Sequence, residues 1–262
     1  MMSAGMGNNA GARTEAGAGI VTETGGFYYD LHLHSCLSPC GDQDMTVNNI
    51  ANMAAIIGLE IVALTDHNSL KNCPAFFAAC ERAGVLPVAG VELTTKEEIH
   101  VVCYFESLEA GMVFDRFLAD RLLPIQNRPE IFGHQLILDD QDNIVAEEGI
   151  LLLSATDIGI EDLPPLMDEY HGVAAPAHID RASFSLISSF GYVPPEYPFP
   201  CYEVRELARL PELITQNPCL SEKRILCSSD AHRLEDIADK NQRICLPAKS
   251  AAGLVSALRT NA

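Results

Sequence analysis

Phe27-Tyr-Tyr-Asp-Leu-His-Leu-His34, the stretch FYYDLHLH, decides how this chain folds. It predicts a β-strand that ends in two histidines. Side chains at i and i+2 share one face of a strand, so the imidazoles of His32 and His34 can reach a single point. Working outward, strand-like and helix-like segments alternate. TVNNIANMAAIIG (46–58) predicts a helix capped by Thr46, with Ile50, Met53, Ala54 and Ile57 at helical spacing and Gly58 as its stop. EIVALTDH (60–67) predicts a short apolar strand. CPAFFAACERAG (73–84) predicts a helix with Pro74 in its first turn and Gly84 at its end. VLPVAGVEL (85–93) and EIHVVCYF (98–105) predict strands, and LEAGMVFDRFLADRL (108–122) an amphipathic helix.

The alternation then lapses. NRPEIFGHQLILDDQDNIVAEEG (127–149) reads as a hairpin turning at DDQDN, and an insertion is expected from about Pro124 to Thr156. A helix ending near Gly172 follows, then the strands GVAAPAHI (172–179), CYEVRE (201–206) and RILCSSDAH (224–232), and a terminal helix SAAGLVSALR (250–259). Short strands alternating with helices predict an α/β fold of βαβ units on a parallel sheet, open or closed. Residues 1–26, rich in Gly, Ala, Asn and Thr, are expected to be a disordered leader ahead of a folded region spanning 27–262.

The 262 residues suit one barrel or two small domains, and a hydrophobic content of 48% supplies a sizeable core. No apolar run is long enough to cross a bilayer, and the N-terminus lacks the basic-then-apolar order of a signal peptide. The nine cysteines are odd in number, scattered and without a CxxC pair, which excludes a zinc knuckle and a disulfide framework. A reducing cytoplasm is the expected setting, with no membrane partner. The formal charge is −19, from 36 acidic against 17 basic residues. Such a surface repels a nucleic-acid backbone, so no duplex binding is expected. A short single-stranded oligonucleotide entering a metal site remains open, because bound cations reverse the field locally.

The chemistry lies where the polar residues fall on these strands. His32 and His34 end the first, His67 ends the next within TDHN, and Glu92 ends the following one within GVELTT. His100 opens EIHVVCYF, His178 ends AAPAHID, and Asp230 and His232 end ILCSSDAH. In α/β folds the carboxyl ends of strands line the ligand site. Of the eight histidines, all but His134 and His171 occupy these places. Imidazole and carboxylate are donors that zinc, manganese and iron accept. With an acidic residue near Asp42 the donors outnumber what one ion holds, and roughly two to three bridged ions would use them all.

HLHSCLSPCGDQDMT, ALTDHNS, GVELTT, IHVV, PAHID and SSDAH, in this order, resemble the PHP (polymerase and histidinol phosphatase) family over nearly everything after Phe27. The resemblance implies a distorted barrel of about seven βα units with up to three ions at the strand ends. It also implies hydrolysis of phosphomonoesters or phosphodiesters. By matching motif, the implied metal ligands are His32, His34, His67, Glu92, His100, His178, Asp230 and His232. The chain departs from the family at the first motif: Ser38-Pro39-Cys40 precedes Gly41-Asp42 where many members have Ser-Asp-Gly. Asp42 is the first choice for the remaining ligand, then Asp44, then Cys40. The insertion resembles the segment that shapes the substrate entrance in free-standing family members.

The expected mechanism is in-line attack on phosphorus by a metal-bridging hydroxide, with the cations neutralising the phosphoryl oxygens. Asp66, beside His67, is expected to orient an imidazole or act on the water, against a capping role in its loop. Arg181 is a candidate phosphate clamp, against a solvated surface residue, with Arg128 and Arg205 behind it. Cys36 and Cys40 read as packing or loop residues. The expected substrate is a small phosphorylated metabolite, a nucleotide or a short single strand. Two other readings are a hydrolase of C–N or C–O bonds and a non-catalytic metal-binding module. No polymerase sequence accompanies the domain, so a proofreading module is not expected.

Overall fold

FYYDLHL forms strand β1 (Phe27–Leu33) in the computed structural model, which describes residue 1, residues 26–239 and residues 241–260. The chain continues through α1 (Val47–Ile57), β2 (Ile61–Leu64), α2 (Cys73–Ala83) and β3 (Leu86–Thr94), and the three strands pair in parallel. The local signals act as the sequence predicts. The Thr46 hydroxyl accepts the Asn49 N–H at the start of α1. At its end Gly58 adopts the left-handed region at φ 87°, where its N–H reaches the carbonyls of Ala54 and Ala55.

The expectation of a parallel sheet fails at β4 (His100–Phe105), which runs antiparallel to β3. Only residues 95–99 join the two strands, whereas a parallel crossover needs about a dozen or more. Because β4 is reversed, its first residue lies at the end where β1 to β3 finish, and His100 pairs with Thr94. The walk continues with α3 (Leu108–Ala119), α4 (Pro129–Phe132), β5 (Leu136–Leu138), β6 (Ile144–Glu147), α5 (Leu163–Glu169) and β7 (Gly172–Pro176). β7 is antiparallel to β4. Last come α6 (Leu186–Phe190), β8 (Cys201–Glu203), α7 (Leu210–Gln216), β9 (Arg224–Leu226), β10 (Arg243–Ile244) and α8 (Ala251–Arg259).

Six strands form one curled sheet in the order β10-β1-β2-β3-β4-β7, with β8 and β9 as a separate parallel pair. That pair bridges the sheet's ends. The Ile179 N–H donates to the Glu203 carbonyl at 2.9 Å beside β7, and after β9 the His34 N–H donates to the Ala231 carbonyl at 3.0 Å. The result is a distorted α/β barrel.

Two apolar clusters divide the strand faces. Ala89, Val91 and Leu93 of β3 pack outward with α1 and α2, while Val88 joins Val102, Tyr104, Val173 and Ala175 inside, with Leu254, Val255 and Leu258 of α8. On β1, Tyr29 and Leu31 belong to the inner cluster but Leu33 to the outer one. A register irregularity between Asp30 and Leu33 accounts for this. An extra residue in a strand swaps which face the following side chains take, so His32 and His34 turn inward.

The DDQDN turn joins β5 and β6 as expected. Leu136 and Leu138 of this hairpin are held by the Asn72 amide, at 3.1 and 2.9 Å. Apart from residues 1 and 26, the expected leader lies outside the described residues. Among the described residues no helix is long and apolar enough to cross a membrane.

Candidate metal centre

The inner face carries a polar layer above its apolar one, and Glu92 stands in the middle of it. One carboxylate oxygen lies 2.9 Å from His100 Nδ1, 3.1 Å from His178 Nε2 and 3.4 Å from His32 Nε2. The other lies 3.0 Å from His67 Nδ1 and 3.4 Å from His34 Nε2. Asp230 Oδ1 completes the layer, 3.5 Å from His32 Nε2 and 3.4 Å from His34 Nε2. The strand register explains part of this convergence, because Glu92 sits on β3 between residues of the outer cluster and so points inward. Two residues arrive by a sharper device. His178 and Asp230 hold positive φ, 29° and 55°, a region that non-glycine residues adopt at a cost of about 1–3 kcal/mol. Ala177, just before His178, already faces the inner cluster, so regular alternation would turn the imidazole away.

Hydrogen bonds from behind fix the orientation of the rings. The Glu203 carboxylate lies 2.9 and 3.1 Å from His32 Nδ1, which must donate to it and so turns Nε2 toward the centre. Ser38 has one hydroxyl proton, which it gives to Asp66 at 2.7 Å. Its oxygen must therefore accept from His34 Nδ1 at 2.9 Å, and His34 Nε2 likewise faces the centre. His32 Nε2, His34 Nε2, His67 Nδ1 and His178 Nδ1 are buried and make no hydrogen bond of acceptable geometry among the described residues. Orphaned buried polar atoms are costly unless something else satisfies them, and three of these nitrogens, on His32, His34 and His67, lie 3.0 to 3.5 Å from the Glu92 and Asp230 carboxylates, a fit for divalent metal.

Three overlapping sets can each hold an ion: His32, His34, Glu92 and Asp230; His67, Glu92 and His100; and His34, His67 and His232. The charges behave as such a cluster requires. Burial alone would raise the Glu92 carboxyl, yet His100, His32 and His67 pull it well below its ordinary range. Burial opposes charge on His34 and His67, but neighbouring carboxylates hold each up at about 9. His232 is pushed down to about 3 by burial and by the adjacent His34. In the metal-free cluster, protons hold places that cations would take.

The structure brings His32, His34, His67, Glu92, His100, His178, Asp230 and His232 into this one layer. It does not bring Asp42. That carboxylate is exposed and accepts the Asp44 N–H at 3.0 Å, closing its own turn. Asp44 and Cys40 are exposed as well. Asp66 accepts three hydrogen bonds, from the Ser35 amide and the Ser35 and Ser38 hydroxyls, each at 2.7 Å. It orients His34 through Ser38. Arg181 Nη1 lies 3.2 Å from Asp230 Oδ2 with its side chain 38% exposed, at the open edge of the layer. Arg128 is exposed with its guanidinium over the Phe132 ring, and Arg205 is exposed too. Glu203 was not singled out from the sequence. Its signal is an acidic residue in an apolar three-residue strand, where a carboxylate is buried only with a partner.

The comparisons agree with this geometry. A DNA polymerase III of PolC type from Thermotoga maritima is 28% identical over 157 residues, which is 59% of this chain and 10% of the polymerase. A lesion-specific endonuclease from Pyrococcus furiosus aligns with a TM-score of 0.63 at 17% identity, over 89% of this chain and 56% of that one. Endonuclease Q in complex with a 27-mer duplex bearing an abasic lesion aligns with a TM-score of 0.52 at 17% identity, over 79% of this chain and 49% of that one. The chain thus spans a tenth of the polymerase and about half of the endonuclease chains. The last match corrects the exclusion of duplex nucleic acid, because a protein of this fold holds a duplex at its active site. Net charge sums the whole surface and is blind to the local field at a cationic site. Fold and donor set are those of a metal-dependent hydrolase, and since the PHP domain model matches residues 30–191, the chain belongs to the PHP domain family.

Proposed function

We propose that this chain is a phosphoesterase that hydrolyses phosphomonoesters or phosphodiesters of a small metabolite, a nucleotide or a nucleic-acid strand, using two to three divalent ions of the Zn, Mn or Fe kind. The carrying observation is Glu92, whose carboxylate is shared between two of the three sets of donors. Bridging carboxylates hold paired cations at the spacing a phosphoryl group spans. When bound, the ions supply Lewis acidity toward the phosphoryl oxygens and acidify water.

The chain's own residues do the rest. Glu203 and the Asp66–Ser38 pair keep Nε2 of His32 and of His34 pointed at the centre. Arg181 sits at the mouth with a guanidinium that matches phosphate oxygens bidentately, and its exchange from Asp230 to substrate orients the ester. We take residues 27–262 as one barrel domain with an insertion at about 124–156. The nine free cysteines suit a reducing cytoplasm.

The test is to strip the protein of metal and add back defined Zn, Mn or Fe while screening phosphorylated metabolites, nucleotides and oligonucleotides, single-stranded and duplex. The expected result is binding of about two or more ions per chain and metal-dependent release of phosphate or of a cleaved strand. A protein loaded to that level that cleaves amides or other C–N and C–O bonds but no phosphate ester would replace this reading. One that cleaves nothing would point to a non-catalytic metal-binding module.

A further inference from the structure

The turn after β7 carries a feature that metal binding does not need. Phe184 has φ 54°, in the left-handed region where a bulky residue is a marked outlier. Its ring stacks on the His100 imidazole, with centroids 4.8 Å apart and planes tilted by 19°, yet the residue stays 45% exposed. Its backbone is held firmly. The Phe184 carbonyl accepts the His100 N–H at 3.0 Å, and the next residue, Ser185, donates its hydroxyl to the Arg181 carbonyl at 2.7 Å. The chain thus fixes an aromatic ring at the lip of the metal layer with one face on a ligand histidine and the other open. Strain kept in a pinned turn beside a site points to use there.

Three residues earlier in the same turn, Arg181 reaches the opposite carboxylate of the layer, Asp230. One turn therefore presents a guanidinium beside the cluster and an open aromatic face beside it as well. A guanidinium recognises a phosphate, and an open phenyl face recognises any nucleobase by stacking without regard to sequence. A compact aliphatic phosphate would use the first and leave the second idle.

We propose that Phe184 is a base-stacking platform, and that the substrate is a phosphoester carrying a nucleobase, its phosphate met by Arg181 and its base laid on the open face of the Phe184 ring. This rests on the phosphoesterase reading above and narrows it to nucleotides or nucleic-acid strands.

The chain contains no tryptophan, so F184W places a single indole at the site. Two matched pairs test the idea with metal-loaded full-length protein: adenosine 5′-monophosphate against ribose 5-phosphate, and a deoxydinucleotide against its counterpart with an abasic residue. The parent protein should favour the base-bearing member of each pair in kcat/KM by about tenfold or more, F184A should remove most of that preference, and F184W should keep it. Indole emission should be quenched by adenosine 5′-thiophosphate, a slowly hydrolysed nucleotide, and not by ribose 5-phosphate. Equal losses on both members of each pair in F184A, with lowered metal content, would mean that Phe184 only props His100, and the proposal would fall. A parent protein without preference would also overturn it. If the parent cleaves no phosphate ester, the phosphoesterase reading fails separately, and the indole titration still decides the platform: quenching by the nucleotide alone sustains it, and silence ends it.

Discussion

The inner face of the barrel holds two layers built from the same strands, and they obey different rules. In the lower layer Val88, Val102, Tyr104, Val173 and Ala175 follow strand alternation and close over α8. In the upper layer alternation is broken at β1, two residues take positive φ, and four imidazole nitrogens have no hydrogen bond among the described residues. The lower layer gains from every apolar contact it makes. The upper one is arranged against its own stability so that cations can complete it. What separates a scaffold from a site here is departure from local regularity, because the residue types at the rim reach a common point only by breaking the pleat.

A matched pair of substitutions gives the sharpest contrast between the layers. Asp230→Asn should lower hydrolysis by more than about 100-fold while moving Tm little, since a lost ligand misplaces its ion. Leu254→Ala, in the lower layer, should cost about 2–5 kcal/mol of stability but leave the turnover of folded, metal-loaded protein in place. Calorimetry and activity on the same preparations read both, and an Asp230→Asn protein that keeps most of its activity at saturating metal would dissolve the contrast. Next in size, Glu203→Gln should weaken metal binding by about 10- to 100-fold, because His32 loses the carboxylate that fixes its tautomer. Titration with a competing chelator measures it, and unchanged affinity would confine Glu203 to packing.

Acidity sharpens the comparison further. His34 and His67 are held at about 9 in the metal-free cluster, above the ordinary 6.5. A raised imidazole adds stability that is fully present below about 6.5 and is lost as pH climbs through about 9. The metal-free protein should therefore lose stability across that window, while metal binds more tightly because fewer protons must leave. Melting curves from pH 6 to 9.5, with and without metal, would show the two forms diverging, and parallel curves would count against protons standing in for cations. The smallest effect concerns the one irregular group of the lower layer. Tyr104 is fully buried and its hydroxyl meets no hydrogen-bond partner among the described residues. Tyr104→Phe should be neutral or stabilising, by up to about 1 kcal/mol. A clear loss in Tm would mean that the hydroxyl is satisfied by water.

The legibility of the two layers in the sequence differed in the same way. Elements governed by local rules were readable: Thr46 and Gly58 bound α1, Gly84 ends α2, and DDQDN turns the hairpin. The histidines at strand ends were readable because the strand-to-loop junction is itself a sequence feature. Three things were not. The direction of β4 depends on a connection too short for a crossover, which appears only when both strand ends are known. Asp42 looked like a ligand by its place in the first motif, but a loop aspartate can satisfy its own turn instead, and this one does. Glu203 became important only because β8 folds beside His32, 171 residues away in the chain.

The seam between β1 and the residues after β9 also sets a timetable. The Leu31 N–H is bonded to the Ser228 hydroxyl, 197 residues downstream. At about 5–20 residues per second, a ribosome needs on the order of ten to forty seconds to deliver the second half of that seam. During that wait His32, His34, His67 and Glu92 have emerged, while Asp230 and His232 have not. A nascent chain at this stage holds an incomplete set of donors on an unclosed sheet. Capture of the full complement of ions thus waits until Asp230 and His232 have been delivered and the seam to β1 has closed.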